Sequence, residues 1–205
     1  MTKRGERKAR ILSAADALFC ARGYEGVSVR DVAQEAEVNK ALVFYYFESK
    51  DQLFAEVLGT YYAAHRSFLQ DTAGRVEGDL RGRVLRLVEA YFDWMAEHSR
   101  YARLIQQEVA RESDHLPLIQ RHLAELHAPV EALLGDLLPS AGPLAPKHFF
   151  VSLSGMTTTY FTHAAALGAL WGENPESESA RSERRAHLSW VVDAILTKLQ
   201  SEAPR

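Results

Sequence analysis

The 205-residue chain has a single cysteine, Cys20. One thiol cannot build a disulfide framework, and the expected setting is a reducing one, the cytoplasm. Long apolar runs are also missing. Nothing reaches the roughly 18 residues of a membrane span, the nearest approach being Ala164 to Trp171, so no membrane partner is expected. The first ten residues are polar and basic and lack the apolar stretch of a signal peptide. There is no phosphate-binding glycine loop, no nucleophile elbow and no zinc-protease helix motif, so neither an enzyme nor a cofactor is expected. Six of the eight histidines lie between His98 and His163. His115, His122 and His127, with Glu112, have no recognisable ligand spacing, and no metal site is expected. β-type alternation, internal repeats and low-complexity tracts are absent as well.

What remains is an ordinary globular composition, 47% hydrophobic and 25% charged, with a net charge of −3. That total is a poor advertisement for a nucleic-acid binder, but the distribution is not even. Met1 to Lys50 holds nine Lys/Arg against seven Asp/Glu, whereas the rest holds fifteen against twenty. Five of the basic residues (Lys3, Arg4, Arg7, Lys8 and Arg10) fall within the first ten. One end is therefore suited to an anion and the other is not.

Helical periodicity dominates. Ile11, Ala14, Ala15, Leu18 and Phe19 form one apolar helical face, and Gly23 closes the helix. Ser28 offers an N-cap with Asp31 three residues on, and Val29, Val32 and Ala33 form the face of a short second helix. Asn39 caps a third, which runs to Tyr45 or Tyr46. Ser49 and Gln52 form a capping box that opens a long fourth helix. The pattern breaks between Asp71 and Gly78. A fifth helix carries Leu80 to Met95, a tight turn follows at His98 to Tyr101, and a sixth carries Leu104, Ile105 and Val109. The next extends from Leu118 to Leu137. Proline-rich and polar loops, Pro139 to Pro146 and Gly172 to Ser179, flank an apolar helix running from Pro146 to Leu170. A last amphipathic helix spans Arg181 to Gln200. The expectation is an all-α chain of about nine helices.

Two short helices joined by Ala36-Glu37-Val38 form a helix-turn-helix pattern. Ala33 is small enough for close approach, and Val32, Val38 and Val43 can set the crossing angle. A plain three-helix bundle would satisfy the same pattern. The residues around it are more specific. Arg10 to Ala15, Leu18-Phe19, Gly23 to Ser28, Asp31 to Ala33 and the run Val38 to Phe54 resemble the DNA-binding domain of the TetR/AcrR family of repressors over about 45 residues.

That resemblance implies a helix-turn-helix domain over residues 1–50 and a helical ligand-binding and dimerisation domain over residues 51–205. It implies a homodimeric repressor on a near-palindromic double-stranded operator, released by a small apolar or amphipathic effector. The third helix would enter the major groove by its N-terminal residues. Lys40 would donate to guanine and Ala41 would pack on a thymine methyl. Arg30 matches a base-reaching position, and Tyr45, Tyr46 and Lys50 match phosphate-contacting ones. Ser28 adds a backbone contact, and Asn39 either caps or touches DNA. Two positions depart from the family pattern. Glu37 stands where glycine is common, so strain is expected there. Phe44 replaces a tyrosine, so its contact must be apolar.

The resemblance also implies an effector pocket. Candidates are Trp94, Met95, His98, Tyr101 and Leu104, with Met156, Tyr160 and His163 spaced to share one helical face. Pockets of this kind are apolar, with a few polar groups that fix orientation. The final two helices would form the dimer interface, where Gly155, Ala164, Ala165, Ala166 and Gly168 permit close approach.

Overall fold

The structure, a computed structural model, describes residues 3–75, 78–134 and 138–202. Ten α-helices account for its order: α1 (Lys3–Arg22), α2 (Val29–Glu35), α3 (Lys40–Tyr46), α4 (Lys50–Arg75), α5 (Leu80–Glu97), α6 (Ser99–Ala110), α7 (Leu116–Leu134), α8 (Pro146–Thr162), α9 (Ala164–Trp171) and α10 (Glu178–Glu202). No strand occurs among the described residues, and none of their helices is long and apolar enough to cross a membrane. Leu137, expected to extend α7, and Met1 of the basic segment lie outside the described residues.

The count exceeds the expected nine because the helix expected over Pro146 to Leu170 breaks at His163, whose φ of −103° and ψ of 7° leave the helical region. A hydroxyl back-bond accompanies the break. Thr162 Oγ1 donates to the Thr158 carbonyl at 2.9 Å, and such back-bonding competes with the helical ladder and bends it. The tight turn expected at His98 to Tyr101 shrinks to His98 alone, with α6 beginning at Ser99. Residues 3–10 are not a free tail; they are the first turns of α1.

The chain forms two compact units. The first contains residues 1–65 and 103–122; the second contains 66–102 and 123–205. In the first, Ile11, Ala15 and Phe19 of α1 are completely buried, as are Leu53, Phe54 and Leu58 of α4. Phe19 meets Phe54 edge-on, with ring centroids 5.0 Å apart, the arrangement favoured by aromatic quadrupoles. In the second, Val88 and Phe92 of α5, Phe161 of α8, and Leu188, Val192 and Leu196 of α10 form the core. Arg81 grips Asp193 through two hydrogen bonds, Arg185 grips Asp93, and Ser189 bonds Glu89. Partly exposed pairs of this kind add little energy singly, but the three together fix the register of α10 along α5.

Candidate nucleic-acid interface

The recognition unit is assembled from its caps. Ser28 Oγ accepts from the Asp31 amide, and the Asp31 carboxylate accepts from the Ser28 amide at 2.8 Å, a complete capping box on α2. The Ser28 hydroxyl bonded to Asp31 holds that carboxyl below its ordinary range. Asn39 Oδ1 accepts from the Leu42 amide at 2.8 Å, so its side chain caps α3. Between the helices, Ala36 is buried and Glu37 adopts a φ of +52°. The expected departure from right-handed backbone is therefore present. The Glu37 carbonyl accepts from Arg10 Nη2 at 3.4 Å, which ties the turn to α1.

Helical spacing then sorts the side chains of α3. Val43, with Phe47 just beyond the helix, is 1% exposed and belongs to the core. Lys40, Ala41, Phe44 and Tyr45 face out, and Phe44 at 44% and Tyr45 at 62% are unusually open for aromatic residues. The Lys40 ammonium lies 5.5 Å from the Phe44 ring centroid. Ser28, Arg30, Lys40, Phe44 and Lys50 line one open groove of about 500 Å³. Tyr46 is half-buried, and its hydroxyl donates to the Arg4 carbonyl at 3.1 Å. The Arg4 guanidinium lies 5.5 Å from the Tyr45 ring centroid. Tyr46 thus braces the first turn of α1, a role its position in the motif did not suggest.

Sequence patterning missed one cluster beside this surface. The Lys50 ammonium sits 3.9 Å from the Tyr24 ring centroid. The Tyr24 hydroxyl donates to Asp51 Oδ1, and that oxygen lies 3.6 Å from His115 Nε2. His115 Nδ1 is 2.8 Å from the carboxylate of Glu108, a residue only 1% exposed. Burial, then the Asp51 contact, raises the Tyr24 phenol; the Tyr24 hydroxyl lowers the Asp51 carboxyl. Glu108 and His115 stand on either side of the α6–α7 turn, and only folding brings them beside residues 24 and 51.

The candidate effector residues fall in both units. Leu104 lies in the first; Trp94, Met95, His98, Tyr101, Met156, Tyr160 and His163 lie in the second. Trp94, Met95, Tyr101, Leu104 and Tyr160 are buried. His98 is half-buried and stacks on Trp94, with ring centroids 4.2 Å apart, while its Nδ1 lies 2.7 Å from the Trp94 carbonyl oxygen. Of the residues expected to share one face, Met156 is half-buried and Tyr160 buried on α8. His163 lies in the break after α8 and is exposed, with Nδ1 3.1 Å from Thr162 Oγ1. The Tyr160 hydroxyl donates to the Pro175 carbonyl and so anchors the loop before α10.

Known proteins place this architecture. The profile of bacterial regulatory proteins of the tetR family matches residues 11–57, and that of the tetracyclin repressor-like C-terminal domain matches residues 81–192. The chain belongs to the TetR family of transcriptional regulators. The repressor NemR of Escherichia coli is 25% identical over 186 residues, which cover 89% of this chain and 90% of NemR. FasR, a transcriptional activator of Mycolicibacterium smegmatis, is 34% identical over 102 residues, 50% of this chain and 46% of FasR. YttP of Bacillus subtilis is 29% identical over 107 residues, 52% of each chain. The chain thus spans about half the length of FasR and YttP. Among solved structures, FadR of Bacillus subtilis in complex with stearoyl-CoA superposes with a TM-score of 0.67 at 14% identity, covering 88% of this chain and 97% of FadR. A regulator of Pseudomonas aeruginosa gives a TM-score of 0.73 at 19% identity, covering 99% and 94%. These likenesses establish the all-helical TetR fold, with an N-terminal helix-turn-helix and a helical C-terminal part. TetR-family relatives are regulators that bind DNA, not enzymes.

Proposed function

We propose that this TetR-family chain acts as a homodimeric repressor on a near-palindromic operator in the cytoplasm. Residues 1–50 would read DNA; residues 51–205 would bind the effector and the second subunit. The observation that carries the reading is the groove at the N-terminus of α3, where Arg30, Lys40, Phe44 and Lys50 converge. Lys40 and Arg30 donate to base edges, and Ala41 and Phe44 supply the apolar surface that suits a thymine methyl. Tyr45, Lys50 and the exposed Ser28 hydroxyl meet phosphates, while Tyr46 holds the start of α1 beside them. Phosphate contacts set the register, and base contacts set the sequence.

Asn39 contributes by capping α3. The effector would be small and apolar or amphipathic, taken up within the second unit among Trp94, Met95, His98, Tyr101, Met156 and Tyr160, with the exposed His163. FadR, solved with stearoyl-CoA, shares this fold, and the buried aromatic residues here suit that class of ligand. The dimer would form through α8, α9 and α10, where Val151, Leu170, Trp171 and Trp190 stand 50% or more exposed.

Selection of the preferred sequence from a random DNA pool tests the reading. Two half-sites in inverted repeat are expected, their centres about 34–36 Å apart or a little more. Lys40→Ala should relax the preference at one base pair of each half-site, with a discrimination loss of about 1–3 kcal/mol. An unchanged preference in that variant would remove Lys40 from base reading.

A further inference from the structure

We propose that Glu108 and His115 are positioning residues for DNA binding, acting through Asp51 and Tyr24 to set the Lys50 ammonium at the phosphate backbone. The proposal rests on the reading of Lys50 as a phosphate contact. All five residues belong to the first compact unit.

A chain of short contacts carries the argument. The Glu108 carboxylate is buried, and a buried charge is tolerated only when it is paired and bonded. Its partner is His115 Nδ1 at 2.8 Å. That bond fixes the imidazole, whose other nitrogen is directed at Asp51 Oδ1, 3.6 Å away. This is ion-pair distance, longer than a hydrogen bond. The same carboxylate oxygen accepts from the Tyr24 hydroxyl. The imidazole also packs against the Tyr24 and Phe54 rings, each centroid 4.5 Å away. Tyr24 is therefore held both at its ring and at its hydroxyl.

The ring presents its face to Lys50 Nζ at 3.9 Å, a strong cation–π geometry. Lys50 also borders the groove that contains Ser28, Arg30, Lys40 and Phe44. A flexible lysine stem carries considerable rotamer entropy. Docking its ammonium on a fixed ring removes that freedom before DNA arrives. A second grip comes from Gly23, which has a φ of +71° and lies so close to α6 that a methyl group there would meet Gln107 Oε1 at 2.9 Å. The turn that carries Tyr24 is thus set by the segment that carries Glu108 and His115.

A purely structural role for the same residues predicts a stability loss alone. A positioning role predicts a change in phosphate engagement, which the salt dependence of binding reads directly. The test uses the full chain and the DNA selected above. Tyr24→Phe removes one partly exposed hydroxyl, and His115→Phe keeps a ring of similar size without its nitrogens. Both variants should bind with a log K against log salt slope shallower by about one per half-site. Lys50→Ala should cost several-fold less affinity in either background than in the native chain. Lys50→Ala in the native chain tests the underlying reading. An unchanged slope there overturns the phosphate contact and the relay with it. A slope that Lys50→Ala reduces, while Tyr24→Phe leaves it native, overturns the relay alone; Tyr24→Phe decides the matter should His115→Phe not fold.

Discussion

At Glu37 the backbone turns left-handed, φ +52°, in the four-residue connection between α2 and α3. A side chain in that region costs free energy that glycine avoids. Arg10 bonds the Glu37 carbonyl, not its side chain, so substitution preserves the brace. Glu37→Gly should raise unfolding stability by about 1 kcal/mol, read as a higher urea midpoint at unchanged slope. A lower midpoint would mean that the carboxylate itself supports the turn. Asp51 and Tyr24 set a second expectation. The Tyr24 hydroxyl lowers the Asp51 carboxyl below its ordinary 3.8. A carboxyl lowered on folding contributes stability that is complete above its unfolded value and is lost as pH falls through its folded one. For Tyr24, raised above its ordinary 10.0, the contribution is complete below 10.0 and lost above it. The part of the acid limb that Asp51 contributes should therefore lie below pH 3.8 and shrink in Tyr24→Phe. Parallel acid limbs in the two proteins would exclude this coupling. Since the Asp51 side chain is 69% exposed, the effect is small.

Elements were read from the sequence where a local rule decides them. Ser28, Asn39 and Ser49 are caps because their side chains reach amides three residues on, and such bonds need no tertiary partner. The core faces of α1 and α3 follow from 3.6-residue spacing for the same reason. The break at His163 was not legible, since Thr162 fits a continuous helical pattern until its hydroxyl returns to the backbone. Nor was the bond from Tyr46 to Arg4, which spans 42 residues. Of the candidate interface, the exposed face of α3 was readable; Tyr24, Asp51, Glu108 and His115 were not, because their meeting depends on packing between distant segments. Asn39 was open to two roles, and the cap geometry sharpens the test. Asn39→Ala should cost about 1 kcal/mol of stability and lower affinity for every operator variant equally. Asn39→Asp, which keeps the cap, should restore stability. A change in base preference in the alanine variant would instead make Asn39 a reader.

On the scale of the whole molecule, the net charge of −3 conceals a division that suits an operator-binding dimer, with nine basic residues against seven acidic in residues 1–50 and fifteen against twenty thereafter. A single recognition helix touches only a few base pairs, so useful specificity demands two of them held at the groove repeat. The proposed means is the apolar surface on α8–α10. Leu170 is 77% exposed and Trp190 67%, and large exposed apolar side chains of this kind suit a surface that is covered by a partner. Trp190 sits on α10, whose opposite side is held by the buried Leu188 and Val192. Trp190→Glu should therefore leave each chain folded while placing two carboxylates at the proposed interface, where unpaired buried charge is strongly unfavourable. The expected result is a monomer in sedimentation at micromolar concentration, with native helical content, and operator affinity reduced by 100-fold or more, about 3 kcal/mol. A variant that sediments as the native protein does would move the interface away from α10, and a native chain that sediments as a monomer would remove the dimer altogether.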